Sequence, residues 1–212
     1  MSTATSAPPL SSPMAQALPP PAAIHQLHHY AYRAKDAEET RYFYEDILGL
    51  PLYHIIQSDV VPSTGEYCPY THFFFRLRDG SFIAFFDLGD DVAALPSPNT
   101  PLWVNHISFR VDSKADLQAM KERLQAHRVE VLGITDHHIF DSIYFFDPNG
   151  VRLELTAQRA DEFQMLQESK TAHARLNEWT ARKAQWRLDR AAGQAAQPLK
   201  PQHNDRPEYQ AV

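Results

Sequence analysis

A chain of 212 residues, 43% hydrophobic and 11% aromatic, carries enough apolar material for one generous domain or two small repeats around a common core. Its formal charge of −6, with no Lys/Arg cluster before residue 159, argues against nucleic acid or an anionic membrane surface and for a small neutral or mildly charged ligand. The single cysteine, Cys68, excludes an internal disulfide and zinc-finger spacing; no run approaches the roughly 18 apolar residues of a membrane span, so the expected setting is a reducing cytoplasm.

Residues 1–23 are mostly Ala, Pro and Ser with almost nothing to bury, which predicts a disordered leader. Folding is expected to start with a strand over 24–34. Asp36 follows as a helix N-cap with Glu39 three residues on, and the helix over 37–48 ends at Gly49, with Pro51 to stop it. A strand over 52–56, a loop over 57–70 containing Pro62, Gly65 and Pro69, and a strand over 71–77 come next. Arg78-Asp79-Gly80 signals a hairpin turn into a strand over 81–88, and 89–101 is a Pro-rich linker.

The pattern then restarts. A strand over 103–111 leads to a helix capped by Asp112 or Ser113, with Leu117, Met120 and Leu124 at i, i+3 and i+7, and then to a strand over 129–134. A hairpin closes the copy, its arms 142–146 and 151–155 alternating around the turn Asp147-Pro148-Asn149-Gly150. Leu153 and Leu155 flank Glu154, so if the leucines face a hydrophobic layer the carboxylate points to the other face. Residues 159–193 are rich in helix formers, with Leu176, Trp179 and Trp186 as apolar anchors, and predict one or two helices that cover the core or a partner subunit. Disorder is expected over 194–212.

The chain thus holds two copies of strand, helix, strand, strand, strand, over about 24–90 and 102–158. His29 and His106 occupy matching places, Gly80 and Gly150 lie at matching turns, and Ala84 stands where the second copy has Glu154. Alternation directs His29, His106 and Glu154 to one face. Two imidazoles and a carboxylate leave three adjacent positions open on an octahedral metal, the geometry of non-haem Fe(II) oxygenases, also tolerated by Mn(II) or Ni(II). A structural zinc site would need a fourth protein ligand.

The segments HHYAYRAKDAEETRYFYEDILGL, VNHISFRV and FFDPNGVRLEL resemble the vicinal oxygen chelate superfamily over about 24–157. That superfamily includes glyoxalase I, fosfomycin-resistance enzymes, bleomycin-binding proteins and type I extradiol dioxygenases. The resemblance implies an α+β fold of two βαβββ repeats forming a cupped mixed sheet around a metal site, with His29, His106 and Glu154 as ligands. Glyoxalase I has a second metal carboxylate where this chain has Ala84, which counts against that activity. Thr135-Asp136-His137, Ile143-Tyr144 and the turn to Glu154 look like the signature of extradiol ring-cleaving dioxygenases. By that match His137 donates a hydrogen bond beside the metal and Tyr144 contacts a substrate oxygen; His138 is the alternative to His137, and Tyr144 could instead be a core aromatic. Extradiol enzymes place an acid–base histidine where this chain has Ser81, and His72 in YTHFFFRL is the candidate substitute.

The resulting expectation is Fe(II)-dependent cleavage of a catecholic compound by O2, in aromatic compound catabolism, with His72 or His137 moving the phenolic proton. Phe73, Phe75, Phe85, Phe145 and Phe146 would divide between an aromatic wall at the metal and the core. Mn(II), Ni(II) or Zn(II) are alternative metals. The competing readings are a metal-dependent lyase, isomerase or thiol transferase acting on a vicinal-dioxygen substrate, and a non-catalytic small-molecule-binding resistance protein. Single domains of this family are often homodimers, sometimes with a site shared between chains.

Overall fold

The structure is a computed structural model that describes residues 22–193. The expected disorder at both ends therefore lies outside the described residues, except at 22 and 23. Strands β1 (His29–Ala34), β2 (Leu52–Val60), β3 (Tyr67–Arg76) and β4 (Phe82–Asp87) form one mixed sheet in the order β1-β4-β3-β2. Strands β5 (Ile107–Val111), β6 (Leu132–Asp136), β7 (Phe140–Phe146) and β8 (Arg152–Gln158) form the second in the order β5-β8-β7-β6. Helices α1 (Ala37–Arg41) and α2 (Lys114–Ala126) follow the first strand of each repeat, and α3 (Glu162–Ala191) follows β8. Among the described residues no helix is long and apolar enough to cross a membrane.

Local chemistry explains most boundaries. The Asp36 carboxylate accepts from the Glu39 N–H at 2.7 Å and opens α1. The helix then widens into π-helical turns over Tyr42–Ile47, where the Leu48 N–H reaches five residues back to the Phe43 carbonyl, and it ends at Gly49 with φ 76°. Ser113 caps α2, accepting from the Asp116 N–H. β1 starts at His29 rather than at 24 because its partner β4 starts at Phe82. β2 and β3 run further than expected. Their pairing continues to Val60 and Tyr67, past Pro69, which is tolerated because β4 flanks β3 only from Thr71 onward.

The repeat is visible in the register. Ala31 pairs with Ala84, which pairs with Phe74; Ser108 pairs with Glu154, which pairs with Tyr144. His29 and His106 each lie two residues before these equivalent positions, and His106 immediately precedes β5.

One hydrophobic cluster joins both repeats. Phe43, Tyr44, Phe75 and Phe85 from the first meet Leu117, Leu124, Phe145 and Leu153 from the second. Each such side chain contributes about 1.5–3 kcal/mol on burial. At the junction the rings of Phe43 and Phe145 lie 6.3 Å apart, and the Tyr44 hydroxyl donates to Asp147 at 3.0 Å. The β7–β8 turn docks on the start of α1: Asn149 Oδ1 accepts from the Lys35 N–H at 2.8 Å and Asn149 Nδ2 donates to Thr40 Oγ1 at 3.1 Å. Phe73, Phe75, Phe85 and Phe145 all belong to this core, so the aromatics on the His72 face are instead Phe74, Phe82 and Phe86. α3 is a single helix opened by a reciprocal Asp161–Gln164 capping box, and none of its residues is buried.

Candidate metal centre

Along β8 the side chains alternate as the pleat requires. Leu153 and Leu155 enter the core, while Arg152, Glu154 and Thr156 share the opposite face with Ser108 of β5 and with Ser142 and Tyr144 of β7. His106 Nδ1 lies 2.9 Å from the Val104 carbonyl, which can only accept, so this nitrogen carries the proton. The Nε2 lone pair then faces Glu154 Oε2 at 3.2 Å. Two lone-pair-bearing atoms at that separation need a positive charge between or upon them, either a proton on Nε2 or a cation shared by both. Glu154 is 4% exposed, and its Oε1 is buried with no hydrogen-bond partner. Burial pushes this carboxyl up, but the Ser142, Tyr144 and Ser108 hydroxyl dipoles and His106 outweigh it and hold the group below the usual glutamate range. The donor set therefore fits a divalent ion: an anionic carboxylate with an open oxygen beside an imidazole whose distal nitrogen is already anchored.

Tyr144 lies directly across from Glu154. Its hydroxyl is 2.7 Å from His137 Nε2, and the Arg152 guanidinium sits 4.5 Å over its ring. Burial, and then the Glu154 carboxylate, push the phenol up to about 12, so it stays protonated. The neighbouring His138 is exposed, in a left-handed turn at φ 69°, and of the two histidines it is His137 that reaches Tyr144. The hydroxyl row beside Glu154, Ser108–Thr156 at 2.7 Å and Ser142–Thr156 at 3.0 Å, was not anticipated from the sequence. Counting two residues along β7 and β8 from Tyr144 and Glu154 would have found Ser142, Arg152 and Thr156. A cleft of about 500 Å³ runs past His106 and Arg152 between Tyr30 and Tyr32 of β1 and the linker around Leu95.

The first sheet carries the other predicted residues. His29 lies in ring contact with Phe74 and His72, at centroid distances of 5.6 and 6.1 Å, and its Nδ1 is 2.7 Å from that of His28. His72 is buried, stacks flat on Phe86 at 3.7 Å and donates from Nδ1 to the Phe85 carbonyl. Burial holds its pKa below that of a free imidazole. Ser81 bonds to Asp79 through hydroxyl and backbone N–H, and its carbonyl accepts from the Leu77 N–H across the same turn. His29 thus stands with His72, while His106, Glu154, Tyr144 and His137 stand together on the other sheet. Among the described residues no three His, Cys, Asp or Glu side chains lie close enough to hold a metal ion. The inner faces of both sheets are consumed by one shared core, which turns the two histidine-bearing faces away from it.

The profile of the Glyoxalase/Bleomycin resistance protein/Dioxygenase superfamily matches residues 26–155. The chain belongs to this superfamily. Its fold is shared with a glyoxalase/bleomycin resistance protein/dioxygenase domain from Frankia sp. EAN1pec, at 19% identity and TM-score 0.54 over 65% of this chain and 100% of that one. Leishmania major glyoxalase I is similar at 15% identity and TM-score 0.50, over 73% and 99% of the two chains. The fosfomycin resistance protein FosX from Listeria monocytogenes shares 24% identity over 65% and 96%, with a TM-score of 0.47. No curated protein is similar enough to match. In the superfamily fold as this chain builds it, the second repeat carries the polar, metal-compatible face and the first repeat an aromatic and histidine-bearing one.

Proposed function

We propose that the protein is a metal-dependent, extradiol-type dioxygenase that cleaves a catecholic aromatic ring with O2, with Fe(II) held by His29, His106 and Glu154. The observation that carries this reading is the His106–Glu154 pair at 3.2 Å with the Tyr144–His137 hydrogen bond beside it. When bound, Fe(II) supplies the Lewis-acid and redox chemistry that makes a catechol reactive toward O2. His137 Nε2, already engaged with a phenolic hydroxyl, is the group positioned to take a substrate phenolic proton, a task suited to an imidazole. Tyr144, its phenol pushed up to about 12, remains a neutral donor, and Arg152 holds its ring. Phe74, Phe82 and Phe86 present an apolar wall for an aromatic substrate, and His72, kept neutral by burial, lies within it.

Because His29 sits apart from the other ligands, the complete site is shared in a homodimer. One copy supplies His106, Glu154, Tyr144 and His137, and its partner supplies His29, His72 and the aromatic wall. Ser81, bound into the Asp79 turn, favours a second reading, a lyase, isomerase or thiol transferase that uses the same ligands without O2.

Anaerobic purification, metal analysis and a catechol panel test the proposal: iron with catechol-dependent O2 uptake supports it. Mn, Ni or Zn without uptake supports the second reading, and no bound metal sinks both. Mixing the inactive His29→Ala and Glu154→Ala chains tests the shared site. Random exchange between two-fold dimers restores about a quarter of the intact sites; no recovery overturns sharing.

A further inference from the structure

α3 spans 30 residues, about 45 Å at the rise of an α-helix, yet none of its residues is buried. Helices in proteins draw most of their stability from packing an apolar stripe, and a lone solvated helix is marginal. A stripe is present. Met165, Ala172, Trp179 and Trp186 recur every seven residues, with Leu176 four after Ala172, and Trp179 meets Trp186 edge-on at 5.4 Å. Met165, Leu176, Trp179 and Trp186 are 41%, 60%, 47% and 36% exposed. A narrow seven-residue repeat is the seam of a helix pair rather than the broad face that covers a globular core.

Charge along the helix is polarised. Asp161, Glu162 and Glu168 lie at its start, and Arg182, Lys183, Arg187 and Arg190, with Asp189, near its end. We propose that α3 pairs antiparallel with α3 of a second copy of this chain, about a two-fold axis between Arg175 and Leu176. In that register Met165 faces Trp186 and Ala172 faces Trp179, so each indole meets a smaller side chain. Glu168 faces Lys183 and Asp161 faces Arg190, while Glu162 opposite Asp189 and the two copies of Arg175 beside the axis are like-charge neighbours. A parallel pairing would set indole against indole and each basic residue against its own copy, which the charge pattern opposes. The pairing stands on α3 alone and needs neither the metal nor the shared site.

Oxidative cross-linking of the full chain reads this register directly. In a Cys68→Ser background, Leu176→Cys places two thiols near the axis, and a covalent dimer is expected. Met165→Cys in the same background places its two copies about 32 Å apart, from 21 residues of helix rise, far beyond disulfide reach, so no cross-link is expected. Both positions are exposed, so neither substitution threatens the fold. Cross-linking at both positions would show a parallel pair, and cross-linking at neither would show no pair; each overturns the proposal. Metal content and turnover play no part in this readout, so it fails or succeeds separately from the dioxygenase reading.

Discussion

Asn149→Ala probes the joint between the two repeats. Asn149 is 4% exposed; its Oδ1 accepts from the Lys35 N–H at 2.8 Å and, more weakly, from Thr40 Oγ1 at 3.5 Å, and its Nδ2 donates to Thr40 Oγ1 at 3.1 Å and Asp147 Oδ2 at 3.3 Å. Truncation strands the Lys35 N–H at the entry to α1, while the Thr40 hydroxyl keeps its bond to the Asp36 carbonyl. With neutral hydrogen bonds near 1 kcal/mol and a stranded donor costing 1–3 kcal/mol, the loss is about 2–3 kcal/mol. Urea unfolding with a slope near 2 kcal/mol/M would then move its midpoint down by about 1–1.5 M. The slope itself should fall if the repeats begin to separate before they unfold. A loss below about 0.5 kcal/mol, the range of ordinary surface substitutions, would refute the claim that this turn clamps the repeats together.

Burial pushes Asp147 up to about 6 against the donors that surround it. A raised folded-state pKa gives stability that is full below the unfolded value near 4 and is lost as pH climbs through about 6. The stability difference between the wild type and Asp147→Asn should therefore shrink by up to about 3 kcal/mol from pH 4 to 7, and a flat difference in urea titrations would refute it. Leu153→Ala empties a fully buried position in the shared cluster and should cost about 3 kcal/mol in a single cooperative thermal transition. Two separate transitions would mean two cores. Tyr144→Phe removes the bond to His137 but keeps the ring under Arg152. Metal content should stay unchanged while turnover falls about a hundredfold, and full turnover would remove Tyr144 from the chemistry.

Nearest-neighbour chemistry made several features legible in the chain itself. Leucines on both sides of Glu154 set its face, Asp36 and Ser113 announce their helices, and matching glycine turns align Ala84 with Glu154 across the repeats. Each depends on residues one to four apart, where the period of a strand or the unsatisfied N–H groups of a helix end dictate the answer. The division of the phenylalanines between core and site was not legible, since alternation separates two faces without saying which is buried. Nor was the buried stacking of His72 on Phe86, a contact between strands.

His29, His106 and Glu154 read from the sequence as three ligands on equivalent faces. The tertiary structure joined His106 to Glu154 and held His29 with His72 on the other sheet. Strand periodicity determines the side of its own sheet on which a residue emerges. Where two such sides lie relative to each other is decided by the long-range packing of both repeats onto one core.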